Sequence, residues 1–131
     1  MVAIRLGAAK AVGVDSDPVA IDCAQGYAQD NRFGAELVLQ TQDLSNPDPV
    51  LRAPYDLVLA NLDQATLMLC RDHLAPYVQR GARLLVSGVL VDQRQDLVQA
   101  FACAGMYGTS QREREGWVAL GFQVAQSCGG T

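Results

Sequence analysis

Two polar residues, Asp15 and Asn61, each follow an apolar run of the kind that forms a buried strand. In parallel α/β sheets, ligands bind beyond the carboxyl ends of the strands. A carboxylate there can accept two hydrogen bonds from a ribose diol, and an amide can both donate and accept. Simpler local roles are also open, since Asp15 and Asp17 could cap the following helix and Asn61 could be a turn residue.

The residue pattern argues against metal chemistry. The four cysteines, Cys23, Cys70, Cys103 and Cys128, form no C-x-x-C pair, and His73 is the only histidine. This spacing excludes the usual zinc and cluster sites. We therefore expect no metal site and reduced thiols, with Cys23, Cys70 and Cys103 in the core on or beside apolar helix stripes.

Strand-like and helix-like segments alternate along the chain. These segments must position the two candidate residues. We predict a strand over residues 11–14 that ends at Asp15. The next helix is capped by Asp17, starts with Pro18 and runs to about residue 31, with Gly34 ready to end it. Its apolar stripe comprises Ala20, Cys23, Ala24 and Tyr27.

Two further strands are predicted over residues 36–40 and 55–60, and the second of these stops at Asn61. Asp63 then caps a helix, and Arg80-Gly81 marks the turn into a long strand over residues 82–91.

The remainder of the chain is predicted to hold one helix and one hairpin. Asp92 and Gln95 resemble a capping box, and Gly105 closes the helix that they open. An antiparallel hairpin is then predicted over residues 106–112 and 117–124. The whole pattern predicts an α/β domain with a largely parallel sheet.

Composition sets the class of protein. The chain has 131 residues, of which 50% are hydrophobic and 18% charged, and its net charge is −4. We expect one partial globular domain over residues 1–126 and a frayed tail over residues 127–131. Because there is no basic run, no membrane-length apolar stretch and no signal sequence, we expect a cytoplasmic protein that binds neither nucleic acid nor membrane.

Four stretches of the sequence, in this order, resemble one enzyme family. They are residues 6–21 with Val-Asp-Ser-Asp-Pro, residues 56–62 with Ala-Asn-Leu, residues 81–90 with Leu-Val-Ser-Gly-Val-Leu, and residues 115–120 with Gly-Trp-Val. The sequence resembles the class I S-adenosylmethionine-dependent methyltransferases that modify ribosomal protein L-eleven. The resemblance spans nearly the whole chain.

This resemblance implies a Rossmann-like sheet, S-adenosylmethionine as cofactor, and methyl transfer to amino groups of a ribosomal large-subunit protein. Asp15 matches the acid that binds the cofactor ribose. Asn61 matches the asparagine that faces the methionine part of the cofactor and the incoming amine, so it is both a cofactor-binding and a catalytic candidate. Trp117 matches a hairpin tryptophan for which we expect a packing role, and Asp43 lies near the adenine contact of related enzymes.

Two elements of the family pattern do not occur in this sequence. The glycine-rich Asp-x-Gly-x-Gly-x-Gly loop is missing, since no two of the twelve glycines lie two positions apart. The amino-terminal substrate-recognition domain is missing too, and residues 1–6 correspond to the tail of the helix that follows the loop. We therefore expect the carboxyl-terminal portion of such an enzyme, and the alternative is a non-catalytic Rossmann-like remnant that binds no cofactor.

The first strand of the family's sheet is missing together with the loop. That strand would lie between the strand that ends at Asp15 and the strand that ends at Asn61. We expect its absence to leave two unpaired apolar edges. Three outcomes are open: the chain closes the gap by direct pairing, it closes the gap by self-association, or it does not fold well.

Overall fold

The structure is a computed structural model that describes residues 1–46 and 54–125. The chain divides into two compact units, residues 1–48 and 49–131. The strands form two sheets, one of two strands and one of four. The tail predicted over residues 127–131 lies outside the described residues.

The first unit contains a two-stranded parallel sheet and two helices. Its elements are α1 (Val2–Arg5), β1 (Ala11–Asp15), α2 (Pro18–Asp30) and β2 (Leu37–Thr41). β1 and β2 pair in parallel with Ala11 opposite Leu37 and Asp15 opposite Thr41. The predicted strands and the predicted start of α2 are confirmed to within one or two residues.

Local interactions set the two ends of α2. The Asp17 carboxylate accepts a hydrogen bond of 2.9 Å from the Val19 N–H, and Pro18 occupies the first turn. The helix ends at the cap residue Asn31, and Arg32 takes the left-handed conformation with φ 60°. The prediction that Gly34 ends the helix is wrong, because the chain reverses two residues earlier.

The apolar stripe predicted for α2 is also wrong in part. Ile21 is the buried residue of this helix, whereas Cys23 is exposed and Tyr27 is 64% exposed. Successive helix positions are about 100° apart, so a residue two places beyond the buried one points away from the packed side. Cys23 is therefore not a core thiol.

The second unit contains a four-stranded mixed sheet and two helices. Its elements are β3 (Tyr55–Asn61), α3 (Gln64–Leu74), β4 (Val78–Leu90), α4 (Arg94–Cys103), β5 (Met106–Arg114) and β6 (Trp117–Val124). The strand order is β3-β4-β6-β5. β3 and β4 are parallel, and β6 is antiparallel to both β4 and β5. This arrangement confirms the predicted α/β class with a carboxyl-terminal antiparallel hairpin.

The core of the second unit lies between the sheet and its two helices. Leu67 and Cys70 of α3 and Leu97 and Phe101 of α4 are buried against strand residues that alternate with exposed ones. The rings of Phe101 and Phe122 lie 4.8 Å apart and 46° from parallel, a tilted contact that favours aromatic pairs. Cys70 is buried, as predicted, and this burial raises the pKa of its thiol.

Two expectations about burial in the second unit are wrong. Trp117 is 54% exposed, because it alternates along β6 with the buried Val118 and points to the sheet face that α3 and α4 do not cover. Cys103 is exposed as well, since it lies at the end of α4 and away from the side that carries Leu97 and Phe101.

Two predicted boundaries also differ. Gly81 is not a turn before β4, because the strand begins at Val78. Gly81 has φ 80° and lies in a β-bulge, where β4 has more residues than β3 and the register between the two strands shifts. Asp92 and Gln95 do not cap α4, since a 3₁₀ turn over Val91–Gln93 precedes the helix. The side-chain oxygen of Gln93 instead accepts a hydrogen bond of 3.0 Å from the Leu90 N–H.

The pairings leave β1 and β3 each with one neighbour in the described sheets. None of the described helices is both long and apolar enough to cross a membrane.

Candidate active site

Asp15 lies at the carboxyl end of β1 with an exposed side chain. Its Oδ1 accepts a hydrogen bond of 2.9 Å from the Asp17 N–H, and its carbonyl oxygen accepts one of 2.9 Å from the Gln42 N–H. Asp17, in turn, is the residue that caps α2. The helix cap suggested for Asp15 is therefore made by Asp17, and Asp15 supports it through one oxygen only. No hydrogen bond to Oδ2 of Asp15 is found among the described residues.

The chain that leaves β2 forms a turn closed by its own side chains. Oδ1 of Asp43 accepts hydrogen bonds from the Ser45 hydroxyl at 2.6 Å and from the Ser45 N–H at 2.9 Å. These bonds lower the pKa of Asp43 below its ordinary value. Asp43 is thus an ionised residue that closes a turn, and this local structural role explains its hydrogen bonds.

Asn61 lies at the carboxyl end of β3 and is exposed. It pairs with Ser87 of the parallel strand β4, and the next residue, Leu62, donates from its N–H to the Ser87 carbonyl oxygen at 3.3 Å. The amide of Asn61 therefore lies where two parallel strands end side by side. This is the kind of position where ligands meet α/β sheets.

Gly88 follows Ser87 and makes room for the Asn61 side chain. Gly88 has φ 85°, and a Cβ at this residue would lie 2.7 Å from Oδ1 of Asn61 and 3.0 Å from the carbonyl oxygen of Leu62. The second of these neighbours is backbone, which cannot move aside without disturbing β3. Glycine at this position thus permits both the bend in β4 and the placement of the Asn61 amide.

The start of α3 fixes the chain just beyond Asn61. Oδ1 of Asp63 accepts a hydrogen bond of 2.8 Å from the Thr66 N–H, which confirms the predicted cap. Hydrogen bonds from Thr66 lower the pKa of Asp63. The Asn61 backbone is therefore held on one side by its pairing with β4 and on the other by a capped helix.

The structure thus places both predicted site residues at strand ends, Asp15 in the first unit and Asn61 in the second. It adds Gly88, which the sequence contained in the Ser-Gly motif but which had been given no role. The available signal was a glycine inside a predicted strand, which often marks a bulge or a close approach of two backbones. Within residues 1–46 and 54–125, no group of three or more His, Cys, Asp or Glu side chains could hold a metal ion.

The two residues offer different chemistry. Asp15 presents an exposed carboxylate, an acceptor for hydroxyl groups, whereas Asn61 presents a neutral amide that can donate and accept. Neither arrangement provides a nucleophile activated by an adjacent base. Asp15 is therefore suited to hold hydroxyl groups, and Asn61 is suited to orient a polar group.

Comparison with known proteins identifies the family. The family model described as ribosomal protein L11 methyltransferase (PrmA) matches residues 1–125. The chain is 38% identical to the ribosomal protein L11 methyltransferase of Cupriavidus metallidurans over 120 residues, which is 92% of this chain and 37% of that protein. It is 32% identical to that of Symbiobacterium thermophilum over 116 residues, 88% of this chain and 36% of the relative. The chain thus spans little more than a third of these relatives.

Solved structures show the same fold. A ribosomal protein L11 methylase from Lactobacillus delbrueckii subsp. bulgaricus superposes with a TM-score of 0.84 at 21% identity, over 95% of this chain and 63% of that one. An S-adenosylmethionine-dependent methyltransferase from Clostridium acetobutylicum superposes with a TM-score of 0.74 at 8% identity, over 89% of this chain and 76% of that one. On the match of the family model to nearly its whole length, the chain belongs to the ribosomal protein L11 methyltransferase (PrmA) family.

Proposed function

We propose that this chain is part of a protein methyltransferase that modifies amino groups of a ribosomal large-subunit protein. In this proposal the chain contains one residue that binds the ribose of the cofactor and one that positions the amine. The relatives that share its sequence are named ribosomal protein L11 methyltransferases. The observation that supports the proposal most directly is the exposed position of Asp15 and of Asn61, each at the carboxyl end of a parallel strand. A ribosomal substrate also fits the cytoplasmic location that we expect.

Asp15 is the proposed ribose ligand. Its carboxylate is exposed, and Oδ1 alone is engaged by the Asp17 N–H. Oδ2 can accept a hydrogen bond from a ribose hydroxyl, and Oδ1 can accept a second one beside the Asp17 N–H. These residues therefore fit the ribose of S-adenosylmethionine.

Asn61 is the proposed positioning residue for the amine. When bound, S-adenosylmethionine supplies a methyl group already activated by a sulfonium. The Asn61 amide oxygen accepts a hydrogen bond from an N–H of the neutral amine and so directs its lone pair. Alignment of this kind lowers the barrier without acid or base catalysis, and Gly88 leaves room for the oxygen because it has no Cβ.

Titration of S-adenosylhomocysteine into the chain, followed by calorimetry, tests the cofactor role. We expect saturable binding, weakened about 10- to 100-fold by Asp15→Ala because two hydrogen bonds to a charged group are lost. Asp22→Ala, which removes an exposed carboxylate from α2 of the same unit, is the matched control and should bind normally. Unchanged affinity in Asp15→Ala would refute the ribose role, and no binding at all would favour the non-catalytic remnant.

The Asn61 role is tested by transfer of labelled methyl groups to purified ribosomal protein L11. Asn61→Ala should slow the transfer by about 100-fold, since orientation terms of this size are common. The exposed Asn46 supplies the control variant, Asn46→Ala, which should transfer normally. Equal rates in the two variants would remove Asn61 from the site.

A further inference from the structure

Gln93 lies between β4 and α4, and its side chain turns back toward β4. It is the cap residue of α4, yet within the described residues its side chain accepts no hydrogen bond from the N–H groups of that helix. Its Oε1 instead accepts a hydrogen bond of 3.0 Å from the N–H of Leu90, the last residue of β4. Helix caps are usually Ser, Thr, Asp or Asn. Gln93 therefore holds the end of β4 rather than the start of α4.

The N–H of Leu90 points to the side of β4 on which β3 has already ended. The next N–H, that of Val91, donates to the Gly116 carbonyl oxygen at 3.0 Å, on the side of β6. Consecutive N–H groups of an extended strand point to opposite sides, so that of Leu90 points away from β6. β3 ends at Asn61, which pairs with Ser87, three residues before Leu90. Every backbone N–H needs an acceptor, and beyond the end of β3 the Gln93 side chain supplies it.

Gly88 lies two residues before Leu90, where the regular pairing of β4 is interrupted. The register with β6 shifts between Val86 and Val89, and Gly88 has φ 85°. Glycine adopts positive and negative φ about equally readily, so the residue type alone does not fix this value. The conformation of Gly88 therefore depends on the contacts that hold the chain on its two sides.

One hydrogen bond holds the chain before Gly88 and another holds it after. Before it, the Ser87 carbonyl oxygen accepts from the Leu62 N–H at 3.3 Å. After it, the Leu90 N–H donates to Gln93 at 3.0 Å. The usual distance from a donor nitrogen to an acceptor oxygen is about 2.9–3.0 Å, so the bond to Gln93 is the better formed of the two. It is therefore the stronger of these two restraints on Gly88.

We propose that Gln93 is a positioning residue for the Asn61 amide and that it acts through Gly88. A Cβ at Gly88 would lie 2.7 Å from Oδ1 of Asn61, so the backbone of this glycine lies directly beside the amide. Without the bond from Leu90 to Gln93, Gly88 gains conformational freedom, and the amide beside it is no longer held in one orientation. The effect on methyl transfer rests on the role proposed above for Asn61, whereas the effect on the amide itself does not.

Nuclear magnetic resonance of the isotope-labelled chain tests this proposal, because the side-chain amide of Asn61 gives its own pair of signals. Asn61→Asp removes this pair and so assigns it. Gln93→Leu, which is similar in size but has no acceptor, should shift or broaden the pair. Hydrogen exchange of the Leu90 N–H should also speed up about tenfold. The bond from Val91 to Gly116 remains in this variant and keeps β4 in the sheet.

Three further variants separate positioning from a general loss of stability. Gln93→Glu keeps an oxygen that can accept from Leu90 and should return the Asn61 signals close to their wild-type positions. Gln93→Asn, whose shorter side chain does not reach Leu90, should shift them as Gln93→Leu does, which keeps the test valid if the leucine variant does not fold. Gln95→Leu makes the same change at an exposed position of α4 and should leave them in place. Circular dichroism checks that each variant is folded.

Two results would overturn the proposal. The first is that the Asn61 signals stay in place while the Leu90 N–H exchanges faster, because the bond to Gln93 would then act on the 3₁₀ turn alone. The second is an equal shift of the Asn61 signals in Gln95→Leu, which would mean that the site responds to any change near the start of α4.

Methyl transfer to purified ribosomal protein L11 separates this proposal from the role proposed for Asn61. Gln93→Leu should lower kcat about tenfold and leave the KM for the protein substrate unchanged, since orientation and not binding is impaired. Shifted Asn61 signals with an unchanged kcat would support positioning by Gln93 and refute the role of Asn61. A lowered kcat with Asn61 signals that stay in place would overturn positioning by Gln93.

Discussion

The two units of the chain bury very different amounts of apolar surface. The described residues include fifteen buried apolar side chains, and fourteen of them belong to the second unit. In the first unit Ile21 alone is buried to this extent. The first unit has two strands and the second has four, and a two-stranded sheet is marginal without packing on a larger core.

Different interactions therefore hold the two units. In the first unit the stabilising interactions are mostly polar. Asp17 caps α2, and the Arg5 guanidinium donates a hydrogen bond of 2.9 Å to the Asn31 carbonyl oxygen. The same guanidinium lies 4.7 Å from the centre of the Phe33 ring. In the second unit they are core contacts such as that between Phe101 and Phe122. The comparison predicts that the second unit carries most of the stability and that the first responds to small surface changes.

The largest effect should come from removing a core ring of the second unit. Phe101→Ala leaves a cavity beside Phe122 and should cost about 3–5 kcal/mol of unfolding free energy. Tyr27→Ala in the first unit removes an aromatic ring that is 64% exposed and should change stability by less than about 0.5 kcal/mol. Urea denaturation of both variants measures the difference, and equal shifts of the midpoint would contradict the unequal division of the core.

Two glycine substitutions should act in opposite directions. Gly88→Ala forces a side chain into φ 85° and against Asn61, and we expect it to cost about 1–3 kcal/mol. Gly26→Ala lies inside α2, where a Cβ would meet nothing within 4 Å, and should stabilise by about 0.5–1 kcal/mol. Thermal melts of both variants measure whether each substitution lowers or raises the stability. A neutral Gly88→Ala would show that the Asn61 amide does not need this space.

A smaller effect is expected from the arginine that ties α1 to the first unit. Arg5→Ala removes its contact with the Phe33 ring, worth about 0.5–1 kcal/mol at an exposed site. Hydrogen exchange should then speed up in β1 and β2 and stay unchanged in β4. Uniform acceleration across both sheets would mean that the two units open together. Arg5→Lys, which keeps the charge but loses the planar stack, should be intermediate.

The smallest effect should be a pH dependence at the cap of α3. Because the folded state lowers the pKa of Asp63, its hydrogen bond to Thr66 stabilises the fold fully above the ordinary carboxyl pKa. This contribution is lost as the pH falls through the lowered value. Asp63→Ala should therefore be less stable than wild type at neutral pH and approach it as the pH falls below the lowered pKa of Asp63.

The control is Asp63→Asn, which keeps a capping oxygen that does not titrate. The stability of this variant relative to wild type should rise as the pH falls. A constant difference between wild type and both variants at every pH would remove Asp63 as the titrating group.

Features set by local chemistry could be predicted from the sequence. The caps at Asp17 and Asp63 and the close of α4 at Gly105 depend on a few adjacent residues, and all three are found as predicted. The placement of Asp15 and Asn61 at strand ends follows from where apolar runs stop. The resemblance of the motifs to the methyltransferase family then indicated a role in methyl transfer for both residues.

Features that depend on distant packing could not be predicted. We expected a packing role for Trp117 and a core position for Cys103, but both are exposed, because exposure depends on which sheet face and which helix side have a covering partner. The role of Gly88 required the distance between β3 and β4, which one strand's sequence does not contain. The start of α4 shifted because a 3₁₀ turn competes with the helix for the same residues.

The turn that joins β5 to β6 bears on the order of folding. Only Glu115 and Gly116 lie between Arg114 and its partner Trp117, at φ 53° and 82°, and turns of this hand match the twist of the strands that they join. Such a hairpin can close within about 1–10 μs, whereas the parallel pairs β1–β2 and β3–β4 must first form the crossover between their strands. We expect the hairpin to form early and to offer β4 a ready edge, so that the sheet of the second unit grows from its carboxyl-terminal side toward β3.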